Sequence, residues 1–301
     1  MDPLVSVIIP THNRPNLLPR ALASVFAQTF HRFECFVVDD GSSCDVRSVV
    51  DRVGDDRVKY LSHSSSRGAS AARNTGIEAS NAKYVAFLDD DDEWRPSKLR
   101  KQVDLFEESP PGVGLIYTWM NYYKEGGKLY RTHSPTFEGH VFPYVFDEQR
   151  IGGCPTLLVL RNVVENVGGF DEGLPRGNDG DFIRRVCKRC KVRCIPEVLV
   201  NVFIEHGEKR ISNNDEKGLL RGIKSHKSKL RKFPDECEKY PRRTANIYAS
   251  IASNYAKMGR WRESKSNYLK AIRMAPISYN VIKNIIVTLL VVLNNKFKNI
   301  L

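Results

Sequence analysis

The sequence has no G-x-G-x-x-G fingerprint after its first apolar run, no apolar stretch long enough to cross a bilayer, and no regular cysteine framework. Each absence excludes something. Without the glycine fingerprint, the tight turn that seats a dinucleotide pyrophosphate on a helix N-terminus is missing, which argues against a dinucleotide-dependent oxidoreductase. The longest apolar tract, inside 281-VIKNIIVTLLVVLNNKFK-298, runs about nine residues, well short of the ~20 that span hydrocarbon. It is expected to pack on neighbouring helices or to lie in a membrane interface. Met1-Asp2-Pro3 leads directly into 4-LVSVIIP-10 with no basic n-region or small-residue cleavage site, so no signal peptide is expected. The seven cysteines are odd in number and scattered, which predicts reduced thiols in a cytoplasmic compartment. The tightest group, 187-CKRCKVRC-194, lacks a fourth ligand at zinc-site spacing and reads as packing. No finger, RNA-binding sheet motif or aromatic-interleaved basic run supports specific nucleic-acid recognition.

What is present is unevenly distributed. The net charge is +12, yet residues 201–301 carry 21 Lys and Arg against 8 Asp and Glu, so the first 200 residues are close to neutral. A basic third of this kind is a footprint for an anionic partner, a membrane surface or a phosphorylated substrate among them.

Hydrophobic periodicity over the first hundred residues alternates between strand and helix. Short β-branched or apolar runs at 5–10, 33–39, 57–62 and 84–88 read as strands. Helical spacing appears over 15–29, 45–53 and 68–80. Strand and helix in alternation predict an α/β fold, a mostly parallel sheet flanked by helices. Further on, 114–133 reads as a hairpin turning at Gly126-Gly127, 154–161 as a strand and 162–168 as a helix. The stretch 169–189 opens as a loop and becomes helical near Asp179. Residues 245–276 read as a helix hairpin with Gly259 at its turn and Pro276 as its terminator. The expected division is 1–206 as one domain and 207–301 as a basic helical extension.

In such sheets a ligand sits beyond the carboxyl ends of the strands. Thr11 follows the first strand, Asp39 and Asp40 end the second, and 87-FLDDDDEW-94 ends the fourth. Four carboxylates at the end of a buried strand call for charge compensation, and hard oxygen ligands suit Mg²⁺ or Mn²⁺. Asp89 and Asp91 have the spacing to aim at one ion, leaving Asp90 to point elsewhere. In 177-GNDGDF-182, a glycine-rich loop precedes Asp179, which stands where a general base could take a hydroxyl proton, although an acidic residue at a helix start also serves as a cap. Arg73, in 67-RGASAARN-74, stands among small residues that permit close approach of a ligand.

Taken together, 5-VSVIIPTHNRP-15, 37-VVDDGSS-43, 67-RGASAARNTGI-77, 87-FLDDDDEW-94 and 168-GGFDEGLPRGNDGDFIRRV-186 resemble family 2 glycosyltransferases of the A-type glycosyltransferase (GT-A) fold, over roughly residues 4–206. The resemblance implies inverting transfer of a sugar from a nucleotide-diphosphate donor, a UDP-sugar being favoured. By it, Pro10 and Thr11 line the nucleotide pocket, Asp40 meets the base with Asp39 beside it, and Arg73 holds the donor. Asp89-Asp90-Asp91 matches the D-x-D motif, with Asp89 and Asp91 on the metal side and Asp90 near the ribose. Asp179 matches the catalytic base. His206 falls near the diphosphate and is carried as a further metal-side residue. Most relatives have Glu-Asp where this chain has Asn178-Asp179. The hairpin at 245–276 resembles one tetratricopeptide-type repeat through Tyr255, Gly259, Trp261, Ala271 and Pro276, and a single repeat needs neighbours, expected at 215–232 and 279–294, to cover its face. The acceptor implied is a hydroxyl of a glycan or lipid-linked acceptor. The basic C-terminal third and the scattered cysteines lead instead to the expectation of a cytoplasmic chain, peripheral on the inner face of the plasma membrane. The alternative is a helical-repeat interaction protein with a relic sugar-nucleotide site.

Overall fold

The computed structural model describes residues 2–204 and 215–276, with 282, 285 and 286. The chain divides into two compact units, Met1–Glu172 with Asn178–Glu208, and Gly173–Gly177 with Lys209–Leu301.

The first unit is built on a nine-stranded sheet. Its first half follows the alternation: β1 (Val5–Thr11), α1 (Leu18–Phe26), β2 (Phe33–Asp39), α2 (Arg47–Asp51), β3 (Val58–Ser62), α3 (Ala69–Ala79) and β4 (Tyr84–Phe87). β3, β2, β1 and β4 lie side by side and all run parallel. Every residue of β1 and β2 is buried, as a parallel strand covered on both faces requires. α1 is shorter than the periodicity of 15–29 predicts. Pro19 lies in its first turn, the one place a helix accepts proline without losing a hydrogen bond, so the helix opens at Leu18.

The second half is mixed. It comprises β5 (Glu93–Trp94), α4 (Lys98–Glu107), β6 (Val113–Tyr123), β7 (Leu129–His133), α5 (Phe142–Val145), β8 (Leu158–Leu160), α6 (Arg161–Asn166), α7 (Asn178–Arg189) and β9 (Lys191–Phe203). β8 is antiparallel to both β4 and β6, β6 is parallel to β9, and β5 pairs antiparallel with β9. The hairpin read over 114–133 forms from β6 and β7. It turns at Gly126 and Gly127, whose φ angles of 73° and 74° suit glycine. The strand read over 154–161 forms only at β8. Cys154–Thr156 is a 3-10 turn instead, and Pro155 within it has no N–H to give a ladder.

The sheet has two packed faces. On one, Val5, Val7 and Ile9 join Leu22 and Val25 of α1 and Leu99 and Val103 of α4 in the core. On the other, Ile8 meets α3 at Gly76, where a Cβ would lie 2.6 Å from Ile8 Cγ2. The glycine therefore sets how closely α3 approaches β1. Farther along this face Phe170 and Phe182 stack at 4.3 Å, and their ring centroids lie 5.1 and 5.7 Å from that of Phe87. This aromatic cluster fastens the start of α7 beside the end of β4.

The second unit contains α8 (Glu216–Lys232), α9 (Pro234–Lys239), α10 (Pro241–Lys257) and α11 (Trp261–Met274). Asp215 caps α8 by accepting from Gly218 N at 2.7 Å. α10 and α11 form the hairpin read over 245–276, turning at Gly259 with φ 72°. They pack through Ala245, Ala249, Ala271 and Ala275, with Ile285 against the same cluster. Among the described residues no helix is long and apolar enough to cross a membrane. The apolar tail at 281–298 lies outside the described residues apart from 282, 285 and 286. Cys187, Cys190 and Cys194 are free and buried.

Candidate active site

The parallel register aligns the strand ends. Thr11 pairs with Asp39, and Ile8 pairs with Phe87. The residues that follow β1, β2 and β4 therefore emerge at one edge. Pro10 is buried within β1 opposite Val38. Asn13, in the left-handed region at φ 56°, ties the first two loops together. Its Oδ1 accepts from Ser43 N at 2.7 Å, and its backbone N donates to Ser42 Oγ at 2.8 Å. His12 Nδ1 donates to the Asp40 carbonyl at 2.8 Å.

Both aspartates of β2's end are taken up by the protein. Asp40 Oδ1 accepts from Arg67 N and His63 Nδ1, each at 2.8 Å. Its Oδ2 accepts from Ser66 Oγ and Gly68 N, each at 2.7 Å. A carboxylate offers about four lone-pair sites, and here all are filled. Burial pushes the Asp40 carboxyl up, but the donors, Arg67 N first, outweigh it and hold the group below the usual carboxylate range. Asp39 Oδ1 accepts from Ser42 N at 2.9 Å, and its Oδ2 accepts from Tyr60 Oη at 2.8 Å. These bonds organise the loops 41–43 and 63–68. At Gly41, with φ 69°, the two loops touch, for a Cβ there would lie 2.5 Å from the Ser65 carbonyl carbon.

The four aspartates after β4 have separate partners. Asp90 accepts from Thr11 Oγ1 at 2.8 Å and from Arg14 Nη1 at 2.9 Å. Burial, opposed by Arg14 and reinforced by Asp91, pushes the Asp90 carboxyl up to about 6. Arg14 also reaches Asp91 Oδ2 at 3.3 Å. Arg20 donates to the Asp91 carbonyl and lies over the Phe203 ring at 3.7 Å. Asp92 Oδ1 accepts from Phe203 N at 3.3 Å. Asp89 Oδ1 accepts from Arg73 Nη2 at 2.5 Å. Desolvation raises the Asp89 carboxyl, Arg73 opposes this, and Asp179 and Asp91 add to it.

Arg14 and Arg73 pair with these carboxylates, and Arg20 stands against the Asp91 carbonyl. Ligand oxygens of Asp89, Asp91 and Asp92 lie within 4.8 Å of one another, an all-oxygen set that fits Mg²⁺ or Mn²⁺. Of the expected metal-side residues, Asp89 and Asp91 come together. His206 lies outside the described residues, and Asp92 stands third.

Asp179 approaches from the other side of Arg73. It occupies the first turn of α7, whose Phe182 is locked in the aromatic cluster. Asp179 Oδ1 lies 3.5 Å from Arg73 Nη1, and its Oδ2 accepts from Cys154 N at 3.3 Å. Arg73 is buried, with its guanidinium 5.2 Å from the Phe170 ring centre. Desolvation disfavours its charge, but Asp89 and Asp179 together raise its pKa above the ordinary value, so it stays a cation. One buried arginine thus joins the carboxylates after β4 to the carboxylate of α7. Asn178, at the position where the resemblance has an acid, donates instead to Ser70 Oγ and links α7 to α3.

The sequence assigns no role to Arg14, Arg20, His63 or Cys154, and it places Asp92 in the acidic run without marking it among the metal-side residues. Arg14 stands inside the quoted 5-VSVIIPTHNRP-15 and Asp92 inside the acidic run, so a signal existed for both. Cys154 acts through its backbone N–H, which leaves no mark in sequence.

Residues 6–167, more than half of the chain, match glycosyl transferase family 2. The chain belongs to that family. A glycosyltransferase of Rickettsia conorii described as uncharacterised is 37% identical over 210 residues, 68% of this chain and 34% of its own length. The chain therefore spans about a third of that relative. A putative colanic acid biosynthesis glycosyl transferase of Escherichia coli K12 is 28% identical over 237 residues, 76% of this chain and 83% of its own length. The fold resembles Staphylococcus aureus TarS residues 1–349, solved with UDP-GlcNAc. There the TM-score is 0.66 at 17% identity, covering 92% of this chain and 82% of that one. A mannosyltransferase of Pyrobaculum calidifontis, solved with GDP-Man and Mn²⁺, gives 0.52 at 14% identity over 100% of this chain and 81% of that one. With its C-terminal helices, this family 2 chain is a mixed α/β protein of the GT-A type.

Proposed function

We propose that this family 2 chain is an inverting glycosyltransferase that moves a sugar from a nucleotide-diphosphate donor to a hydroxyl of a glycan or lipid-linked acceptor. The observation that carries the reading is the Asp89–Arg73–Asp179 bridge at the carboxyl edge of the parallel strands. It sets the Asp179 carboxylate, a buried cation and a cluster of hard oxygen ligands side by side. Asp179 accepts the proton of the acceptor hydroxyl as its oxygen forms the bond to the anomeric carbon. The bond from that carbon to the diphosphate breaks, and its electron pair leaves with the nucleoside diphosphate. Asp89, Asp91 and Asp92 are the residues that would hold Mg²⁺ or Mn²⁺, which when bound would neutralise the charge on the departing diphosphate. Arg73 orients the Asp179 carboxylate and carries positive charge next to the donor. Thr11, Asp39 and Asp40 are assigned to the nucleotide side, Asp40 acting through the 63–68 loop that it holds.

A UDP-sugar is favoured as donor. TarS was solved with UDP-GlcNAc, and an Escherichia coli relative, 38% identical over 104 residues, is described as a UDP-Glc:α-D-GlcNAc-diphosphoundecaprenol β-1,3-glucosyltransferase. That name also supports a lipid-linked acceptor. The test is release of nucleoside diphosphate from a panel of UDP-, GDP- and dTDP-sugars with and without Mn²⁺. Metal-dependent release from one donor, abolished in Asp91→Ala, is expected. No release and no donor binding across the panel would overturn the reading and favour the interaction protein.

A further inference from the structure

The outward face of the last described helix mixes exposed apolar and cationic side chains. On α11, Trp261, Leu269 and Ile272 are 49%, 45% and 38% exposed. At 100° per residue they fall on an arc that also carries Arg262, Lys265 and Arg273, all exposed. The helix's own carboxylate, Glu263, is turned away and paired with Arg260. The inner face of α11 is the one already used, for Ala271 and Ala275 pack on α10, and Ile285 of the following segment joins them there. A second cationic arc lies on α8, where Lys217, Arg221, Lys224 and Arg231 are exposed beside Leu220.

We propose that the outward face of α11 seats in the headgroup region of an anionic membrane, with the cations of α8 adding to the attraction. Cations alone would describe any polyanion site. What singles out a lipid surface is their interleaving with a tryptophan, a leucine and an isoleucine left in water. Trp settles at the boundary between hydrocarbon and headgroups. Leucine and isoleucine gain by entering the acyl region and offer no stacking face to a nucleobase. The charge balance of +13 over residues 201–301 supplies the long-range term.

The test is co-sedimentation of the full chain with vesicles of phosphatidylcholine alone or with 30 mol% phosphatidylglycerol (about one lipid in three, ample for the surface potential). Binding to the anionic vesicles only, falling roughly tenfold or more between about 50 and 500 mM salt, is expected. Trp261→Ser with Leu269→Ser and Ile272→Ser should lower the bound fraction at least fivefold at moderate salt. Arg262→Gln with Lys265→Gln and Arg273→Gln should remove the preference for anionic lipid. All six positions are exposed, and unchanged circular dichroism verifies the fold of each variant. No binding to anionic vesicles, equal binding to both compositions, or binding untouched by the apolar triple change overturns the proposal. So does displacement of the wild type by DNA together with an unaffected apolar variant, which would make the face a general polyanion site.

Discussion

Replacing Asp40 with asparagine tests whether this carboxylate serves the loop or the ligand. The two side chains have the same shape, so no cavity opens. An asparagine oxygen can keep two of the four donors, Arg67 N and His63 Nδ1 for instance. Its amide group then points two hydrogens at Ser66 Oγ and Gly68 N, which donate at 2.7 Å in the wild type. The serine hydroxyl can rotate to accept, whereas the backbone N–H of Gly68 cannot. Hydrogen bonds to a charged group contribute roughly 1.5–3 kcal/mol each, and a stranded buried donor costs about 1–3 kcal/mol. Asp40→Asn should therefore destabilise the first unit by about 2–5 kcal/mol at pH 7. Hydrogen exchange at Gly68 and denaturant unfolding would read it, with the Gly68 amide losing protection in the variant and Arg67 serving as the internal reference.

The pH dependence adds a sign. The folded Asp40 carboxyl sits below its ordinary value, so its contribution is fully present above the unfolded pKa of about 4 and is lost as pH falls through the folded one. The gap between wild type and variant should shrink in that acidic window. If Asp40→Asn leaves exchange and unfolding unchanged and weakens only donor binding, the carboxylate faces the nucleotide and the loop assignment is wrong.

Asp179→Asn should lower turnover by about 10²–10⁴, since the proton acceptor is lost, with donor affinity much less affected because Asp89 still pairs with Arg73. An equal loss of donor binding would move Asp179 to the donor side. Lys98 is fully buried, donates to Gln102 Oε1 at 2.8 Å and lies 3.9 Å from the Trp94 ring centre. It has no carboxylate partner among the described residues, and burial pulls its pKa well below the ordinary value. Lys98→Met removes the cost of burying an amine but strands the buried Gln102 Oε1, about 1–3 kcal/mol, so its net effect on stability at pH 7 should be small, on the order of 1 kcal/mol. Wild-type stability should rise with pH toward about 10.4, where the unfolded lysine still holds the proton that the folded one has shed, and Lys98→Met should lack that rise. Gly41→Ala should destabilise by at least about 1–2 kcal/mol, since the left-handed backbone disfavours a Cβ and the Ser65 backbone stands in its place. A variant with a wild-type unfolding midpoint would show that the two loops separate freely.

The parts of the fold legible in the sequence are those fixed by neighbours along the chain. β-branched runs gave β1 and β2, paired glycines gave the β6–β7 turn, and Gly259 gave the α10–α11 turn. The arrangement of β8, β6 and β9 was not legible, because it depends on which distant edges meet. Nothing local says that β8 will run against β4. The strand read over 154–161 was overlong because apolar content was weighed above the proline that interrupts it.

The site divides along the same line. The sequence located the carboxylates, since acidic residues at strand ends stand out. It did not show what each carboxylate faces. Asp39 and Asp40 look as exposed to a ligand in sequence as Asp89 and Asp91, yet the fold spends the first pair on its own loops. Asp89 and Asp179 look unrelated, yet Arg73 bridges them. What distinguishes these groups is the supply of donors around each one. The 63–68 loop brings backbone N–H groups to Asp40 and saturates it, while Asp89, Asp91 and Asp92 gather ligand oxygens within 4.8 Å of one another. Grouped hard oxygens suit a cation, whereas a saturated carboxylate holds a wall. The two aspartate pairs therefore do opposite work at one edge: Asp39 and Asp40 tie its loops together, and Asp89 and Asp91 converge where an ion could be held.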